Sequence, residues 1–241
     1  MWKTILPVVS TPKPAADQID AGRLKGSPFL SQTIVTWWVR EFMKPIEDVC
    51  VKYRITPNKI TTIGFVLTLF AASLLATKHL VLGGWMVIIA GCFDFFDGRV
   101  ARRMNLSTIS GAFYDSVLDR YMDSAVLFAL AYYFRASWFL PVIYLAILGS
   151  ATTPYIRAKS ESLGIESSGG AMQRPERIVF IGLGSAFSGY LMILFYPFQK
   201  AGEEMPPYLL MVSLCIVALM SNKVALQRCI STFKLLKSKE S

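Results

Sequence analysis

Residues 92–123, CFDFFDGRVARRMNLSTISGAFYDSVLDRYMD, put five aspartates into or beside apolar runs long enough to be membrane helices. Charged groups in such helices are costly and usually mark a working site. Asp94 and Asp97 are three residues apart and share one helical face. Gly111, Asp115, Asp119 and Asp123 recur every four residues and form a single stripe. Two antiparallel helices joined by a loop of roughly a dozen residues bring Asp94, Asp97, Asp115 and Asp119 together as a four-carboxylate cage. Carboxylates crowded in this way repel one another unless divalent cations keep them ionised. An all-oxygen donor set suits Mg2+ or Mn2+, and two ions are expected.

Outward from this stretch, the chain reads as an all-α, polytopic membrane protein. Of its 241 residues 54% are hydrophobic and only 17% charged, against about a quarter charged in ordinary soluble domains; the mean hydropathy is +0.46. Six apolar runs at 58–77, 80–98, 112–134, 137–156, 177–197 and 206–226 are each near the length a bilayer requires. They predict a six-transmembrane-helix bundle. Three Lys or Arg residues (Lys78, Arg135, Lys200) lie in one set of connections and the other 22 in the opposite set with the termini. The positive-inside rule therefore puts both termini and the aspartate site on the cytoplasmic side of the membrane.

Residues 1–30 carry Pro7, Pro12, Pro14 and Pro28 and read as a flexible cytoplasmic leader, with no cleavable signal. In 31–55, Ile34, Val35, Trp37, Trp38, Phe42, Ile46 and Val49 interleave with Arg40, Glu41, Lys44 and Asp48, the pattern of an N-terminal amphipathic interfacial helix. A helix packed on the cytoplasmic rim of the bundle fits the same pattern. The membrane domain then spans 56–230 and a basic tail 231–241. Four cysteines lack metal or redox spacing and read as packing residues. His79, the only histidine, lies in a short link, which leaves carboxylates to carry any acid–base chemistry. Nothing points to nucleic acid.

The run Asp94-x2-Asp97-Gly98-x2-Ala101-Arg102-x8-Gly111-x3-Asp115-x3-Asp119 resembles the signature of the CDP-alcohol phosphatidyltransferases, with all eight positions filled. The resemblance implies a six-helix bundle, a homodimer, that binds a CDP-linked lipid such as CDP-diacylglycerol and exchanges its CMP for an acceptor alcohol. Asp94, Asp97, Asp115 and Asp119 would serve the metal ions, with Asp119 also the general base. Gly98, Ala101, Arg102 and Gly111 would line the nucleotide together with Asp94. Thr56-Pro57-Asn58-x2-Thr61 resembles the family's cytidine-contacting segment and adds Asn58 and Thr61. Asp123 lies outside the pattern; a hydrogen bond within the bundle or to a polar neighbour such as Ser124 is expected in place of a metal role. Arg103 reads as a solvated anchor.

The motif does not choose the acceptor. Tyr155-Ile-Arg157-Ala-Lys159-Ser-Glu161 and Gln173-Arg174-Pro-Glu176-Arg177 form a cationic wall that resembles the acceptor site of prokaryotic phosphatidylinositol-phosphate synthases. Arg157 and Arg174 would hold the phosphate of inositol 3-phosphate, with Arg177 and Lys159 as further partners and Glu161 and Glu176 orienting the arginines. Glycerol 3-phosphate is the alternative acceptor. A cation transporter is the rival from another class, since aspartates on adjacent membrane helices also make ion paths. Against it, the motif aspartates cluster toward one side of the membrane.

Overall fold

A computed structural model describes residues 44–165, 172–198 and 205–240. All regular structure among them is helical: α1 Lys44–Lys52, α2 Pro57–Ala76, α3 Leu80–Arg103, α4 Ile109–Tyr133, α5 Leu140–Ser162, α6 Arg174–Phe195 with a 3-10 turn at Tyr196–Phe198, and α7 Tyr208–Glu240. Most of the proposed amphipathic segment, from Ile34 to Phe42, lies outside the described residues. Proline starts α2, α5 and α6, where its missing N–H costs nothing. Sharp reversals follow α1, α2 and α3 at Arg54, Lys78 and Asn105, all left-handed with φ of 50°, 69° and 54°.

α2, α3, α6 and α7 are long and apolar enough to cross a membrane. In each, only 39–44% of the apolar stretch is buried inside the protein, so most of its greasy surface needs a nonpolar solvent. α4 and α5 are of similar length, 25 and 23 residues. Their composition is diluted by polar cargo: Asp115, Asp119, Arg120 and Asp123 on α4, and Ser150, Thr152, Thr153, Arg157 and Lys159 on α5.

Two corrections concern the motif helices. α3 does not stop near residue 98 but runs on through Val100-Ala-Arg-Arg103, which puts Asp94 and Asp97 inside the helix. The connection to α4 is therefore five residues, 104–108, instead of about a dozen. Thr108 caps α4, its Oγ1 accepting the Gly111 N–H at 3.0 Å. At the other end of the chain the expected basic tail is helix: α7 is continuous to Glu240, about 50 Å at 1.5 Å per residue.

α2 packs along α3 and against α4, α5 along α7, and α6 against both α3 and α7. The α3–α6 crossing is nearly backbone on backbone. A Cβ on Gly84 would sit 2.5 Å from the Ala186 nitrogen and the Gly182 oxygen. Such close approach needs small residues and is how helices associate in lipid without a hydrophobic drive. Toward the α2–α3 and α4–α5 turns the bundle is filled by Leu75, Leu80, Leu130, Phe134, Phe139, Ile143, Leu210 and Leu214. A second cluster of Cys50, Ile60, Phe96 and Val100 lies at the opposite end, under α1. Burial, aided by the Glu47 carboxylate, pushes the Cys50 thiol up from its ordinary value, so it stays protonated and packs as a small hydrophobe. The four cysteines are all free.

Candidate active site

The starts of α2, α4 and α6 and the ends of α3, α5 and α7 share one end of the bundle, and the expected site residues are there. Asp94 and Asp97 on α3 and Asp115 on α4 each offer a carboxylate oxygen within 4.8 Å of the others. This spacing lets three hard oxygens share one small cation, so the residues fit Mg2+ or Mn2+ on their own geometry. Asp97 is 5% exposed, and the Thr61 hydroxyl donates to its Oδ2 at 2.5 Å. Asp119, one turn beyond Asp115, sits beside Asp94: Arg174 forms ion pairs with both, at 2.8 Å to Asp119 Oδ1.

Arg174 therefore stands at the cage and not apart from it. Its Nε also donates to Asp123 Oδ1 at 3.1 Å, and Arg177 Nη2 donates to Asp123 Oδ2 at 2.5 Å. The partners of Asp123 are these two arginines of α6, a hydrogen-bonded tie within the bundle and not one to the neighbour Ser124. The opposite charges lie one helix away, at a distance that spacing along one chain does not reveal. Arg177 is 6% exposed. It and Asp123 border a cavity of about 20 Å³ otherwise walled by Val87, Val126, Leu127, Ser150, Ile178 and Ile181.

Arg157 is exposed and pairs with Glu161 at 2.9 Å, as expected. Glu176 acts through the helix cap. It is fully buried, and its Oε2 accepts the Gln173 N–H at 3.0 Å, closing the first turn of α6 so that Arg174 and Arg177 point from a fixed helix end. Lys159 is exposed, two residues beyond Arg157. Arg228 on α7, which was not among the expected residues, donates to the Thr153 carbonyl at 3.3 Å and lies within electrostatic reach of Arg157, Arg177 and Glu161. A buried hydrogen bond between Ser160 and Thr232, 2.8 Å, holds α7 to α5 at this level. Four arginines from three helices thus converge next to the carboxylates.

On the other side of the cage, α2 meets α4. Asn58 Oδ1 would lie 3.3 Å from a Cβ placed on Gly111, so the absence of that side chain lets the two helix starts touch. Thr62 and Tyr114 share a hydrogen bond of 3.1 Å along the same seam. Asn58 and Gly111 are thereby neighbours, while Gly98, Ala101 and Arg102 follow Asp97 along the last turns of α3, each half-buried. Arg103 is exposed, as expected of an anchor, and also pairs with Asp48 at 2.5 Å and Glu47 at 3.4 Å. Arg99 also pairs with Glu47, at 3.1 Å, so α1 is clamped by charge to the helix that carries Asp94 and Asp97. Glu47 faces inward, whereas Ile46, Val49 and Tyr53 face outward.

The comparisons with known proteins bear on this arrangement. The chain is 31% identical over 150 residues to a phosphatidylinositol phosphate synthase of Mycobacteroides abscessus, covering 60% of this chain and 68% of that one. It is 34% identical over 156 residues to an archaetidylinositol phosphate synthase of Methanothermobacter thermautotrophicus, covering 64% and 76%. Among solved structures, the phosphatidylinositol phosphate synthase of Mycobacterium tuberculosis in complex with manganese and citrate superposes with a TM-score of 0.67 at 25% identity, over 78% of this chain and 88% of that one. The same enzyme with CDP-DAG bound gives 0.66, over 80% and 94%. The sequence model described as CDP-alcohol phosphatidyltransferase matches residues 54–220, from the turn before α2 well into α7 and across the whole carboxylate cage, and the chain belongs to that family of transferases.

Proposed function

We propose that this protein transfers the phosphatidyl group of CDP-diacylglycerol to a phosphorylated polyol, inositol 3-phosphate in preference to glycerol 3-phosphate, releasing CMP. The observation that carries this reading is the shared residue Arg174, which joins a carboxylate cage to a cluster of arginines. One half suits a metal-bound pyrophosphate; the other suits a second phosphate that must be held apart from it. The relatives named as inositol phosphate synthases support the choice of acceptor. Against a transporter, the described residues beyond the cage pack as an apolar core with no run of charged groups.

In this reading α2 to α7 all cross the membrane, with the cage at the cytoplasmic face, where most of the positive charge lies. The catalytic unit, 56–230, works as the homodimer expected of the family. Asp94, Asp97 and Asp115 would hold the divalent cation, with Asp119 at its edge; its chemistry is to offset charge on the pyrophosphate and on the departing CMP. Asn58, Thr61, Gly98, Ala101 and Gly111 line the nucleotide, and Arg102 pairs with its phosphates. Arg157, Arg177 and Arg228 take the acceptor phosphate, with Lys159 at the rim, and Arg174 sits where acceptor and donor meet. Asp119 accepts the proton of the acceptor hydroxyl as its oxygen bonds the phosphatidyl phosphorus and the bond to CMP breaks.

The test offers purified protein CDP-diacylglycerol, Mg2+ or Mn2+, and in turn inositol 3-phosphate, glycerol 3-phosphate, inositol and serine. Inositol 3-phosphate is expected to give the fastest CMP release. Turnover confined to unphosphorylated alcohols contradicts the acceptor assignment. Asp119→Asn should slow CMP release by roughly 10²–10⁴-fold, and near-normal turnover in that variant removes Asp119 as the base.

A further inference from the structure

Asp123 belongs to neither the family signature nor the metal cage, yet both of its oxygens are engaged by arginines. Each of its oxygens is taken by a different arginine of α6: Oδ1 by Arg174 Nε at 3.1 Å and Oδ2 by Arg177 Nη2 at 2.5 Å. Its neighbours on the core side are Val87, Val126, Leu127, Ile178 and Ile181. In so apolar a setting, ion pairs are weakly screened and hold their geometry. Arg157, by contrast, is tied among the described residues by an exposed pair to Glu161, worth little and easily exchanged for a ligand.

We propose that Asp123 is a positioning residue for the acceptor: by gripping Arg174 and Arg177 from below it aims both guanidinium groups at the acceptor phosphate beside Asp119. Arg174 has one nitrogen on Asp123 and another between Asp94 and Asp119, so its aim fixes the distance between the acceptor's phosphate and the base. Released from Asp123, Arg174 keeps its pairs with Asp94 and Asp119 but loses the anchor that sets its aim, and Arg177 loses its ion pair with Asp123. Asp123 is joined to the cage through Arg174, whose pairs with Asp94 and Asp119 do not depend on it, so the change is expected to fall on the acceptor and not on the donor or the metal. The inference rests on the reading above that the arginine cluster receives a phosphorylated acceptor.

The experiment measures initial rates of CMP release for wild type, Asp123→Asn and Asp123→Glu in lipid nanodiscs, varying inositol 3-phosphate and CDP-diacylglycerol separately, with Mn2+ affinity followed by electron paramagnetic resonance. For Asp123→Asn the KM for the phosphorylated acceptor should rise about tenfold to a hundredfold, the loss expected when a binding group is misplaced by an ångström or so. Its KM for CDP-diacylglycerol and its Mn2+ affinity should stay at wild-type values. Asp123→Glu, which keeps the charge, should fold normally and give an intermediate KM. An unchanged acceptor KM in both variants overturns the proposal, as does a loss of Mn2+ affinity, which would make Asp123 part of the cage. If Asp123→Asn does not fold, Asp123→Glu decides: an acceptor KM equal to wild type overturns the proposal. Failure of the underlying reading looks different, because wild type itself would then show no preference for a phosphorylated alcohol.

Discussion

Thr61 lies in the segment that resembles a cytidine contact, but its hydroxyl points at the cage. It is 3% exposed and donates to Asp97 Oδ2 at 2.5 Å. Water has no access to replace that bond, and Asp97 is itself buried. Replacing Thr61 with Val keeps the branched shape and removes the donor. The second contact of the hydroxyl, 3.2 Å to the Pro57 carbonyl, lies within the same helix and matters little for the site. Hydrogen bonds to a charged group are worth roughly 1.5–3 kcal/mol, and loss of a group that orients a metal ligand weakens metal binding about 10–100-fold. Thr61→Val should therefore lower Mn2+ affinity by about that factor, or about 1.4–2.7 kcal/mol. The assay is a Mn2+ titration followed by electron paramagnetic resonance in nanodiscs without nucleotide, where a cytidine contact has no effect. Thr61→Ser should restore most of the affinity. Mn2+ affinity equal to wild type in Thr61→Val, with only CMP binding weakened, would refute the orienting role.

The clamp between α1 and α3 predicts a loss of stability: Glu47→Ala leaves Arg99, which is only 14% exposed, without its Glu47 partner. The expected cost is about 2 kcal/mol, between the values for exposed and buried pairs, and would be read as a lower thermal midpoint of the purified protein; an unaltered midpoint rejects the clamp. Arg228→Ala should raise the KM for inositol 3-phosphate while leaving that for CDP-diacylglycerol alone. Equal effects on both would place Arg228 in general packing of α7 on α5.

Much of this site could be read from spacing. The three- and four-residue intervals that line up Asp94 with Asp97, and Gly111 with Asp115 and Asp119, are properties of a helix, and the bundle keeps them. Helix ends were less legible. The apolar run is broken by three arginines at 99–103, yet Arg99 and Arg103 are held by Glu47 and Asp48 and Val100 is buried, so the helix persists beyond its greasy part. Arg228 was hidden because it follows a long apolar run and looks like any basic flank. Only the continuation of α7 past the expected end, tied to α5 through Ser160 and Thr232, brings it to the site. The grip of Asp123 on two arginines 51 and 54 residues away depends on the α4–α6 arrangement, for which a single sequence carries no period. Arg103 is exposed as its position suggests, but its pairs with Glu47 and Asp48 come from another element that its own surroundings do not reveal.

The central claim is that Asp94, Asp97 and Asp115 gather a divalent ion at the end of α3 and the start of α4. Crystals grown with Mn2+ and measured at the manganese absorption edge test it directly. An anomalous peak among these three carboxylates, lost in Asp97→Asn, is the predicted result. A map with no peak there, or with the ion bound only elsewhere in the bundle, would contradict the account.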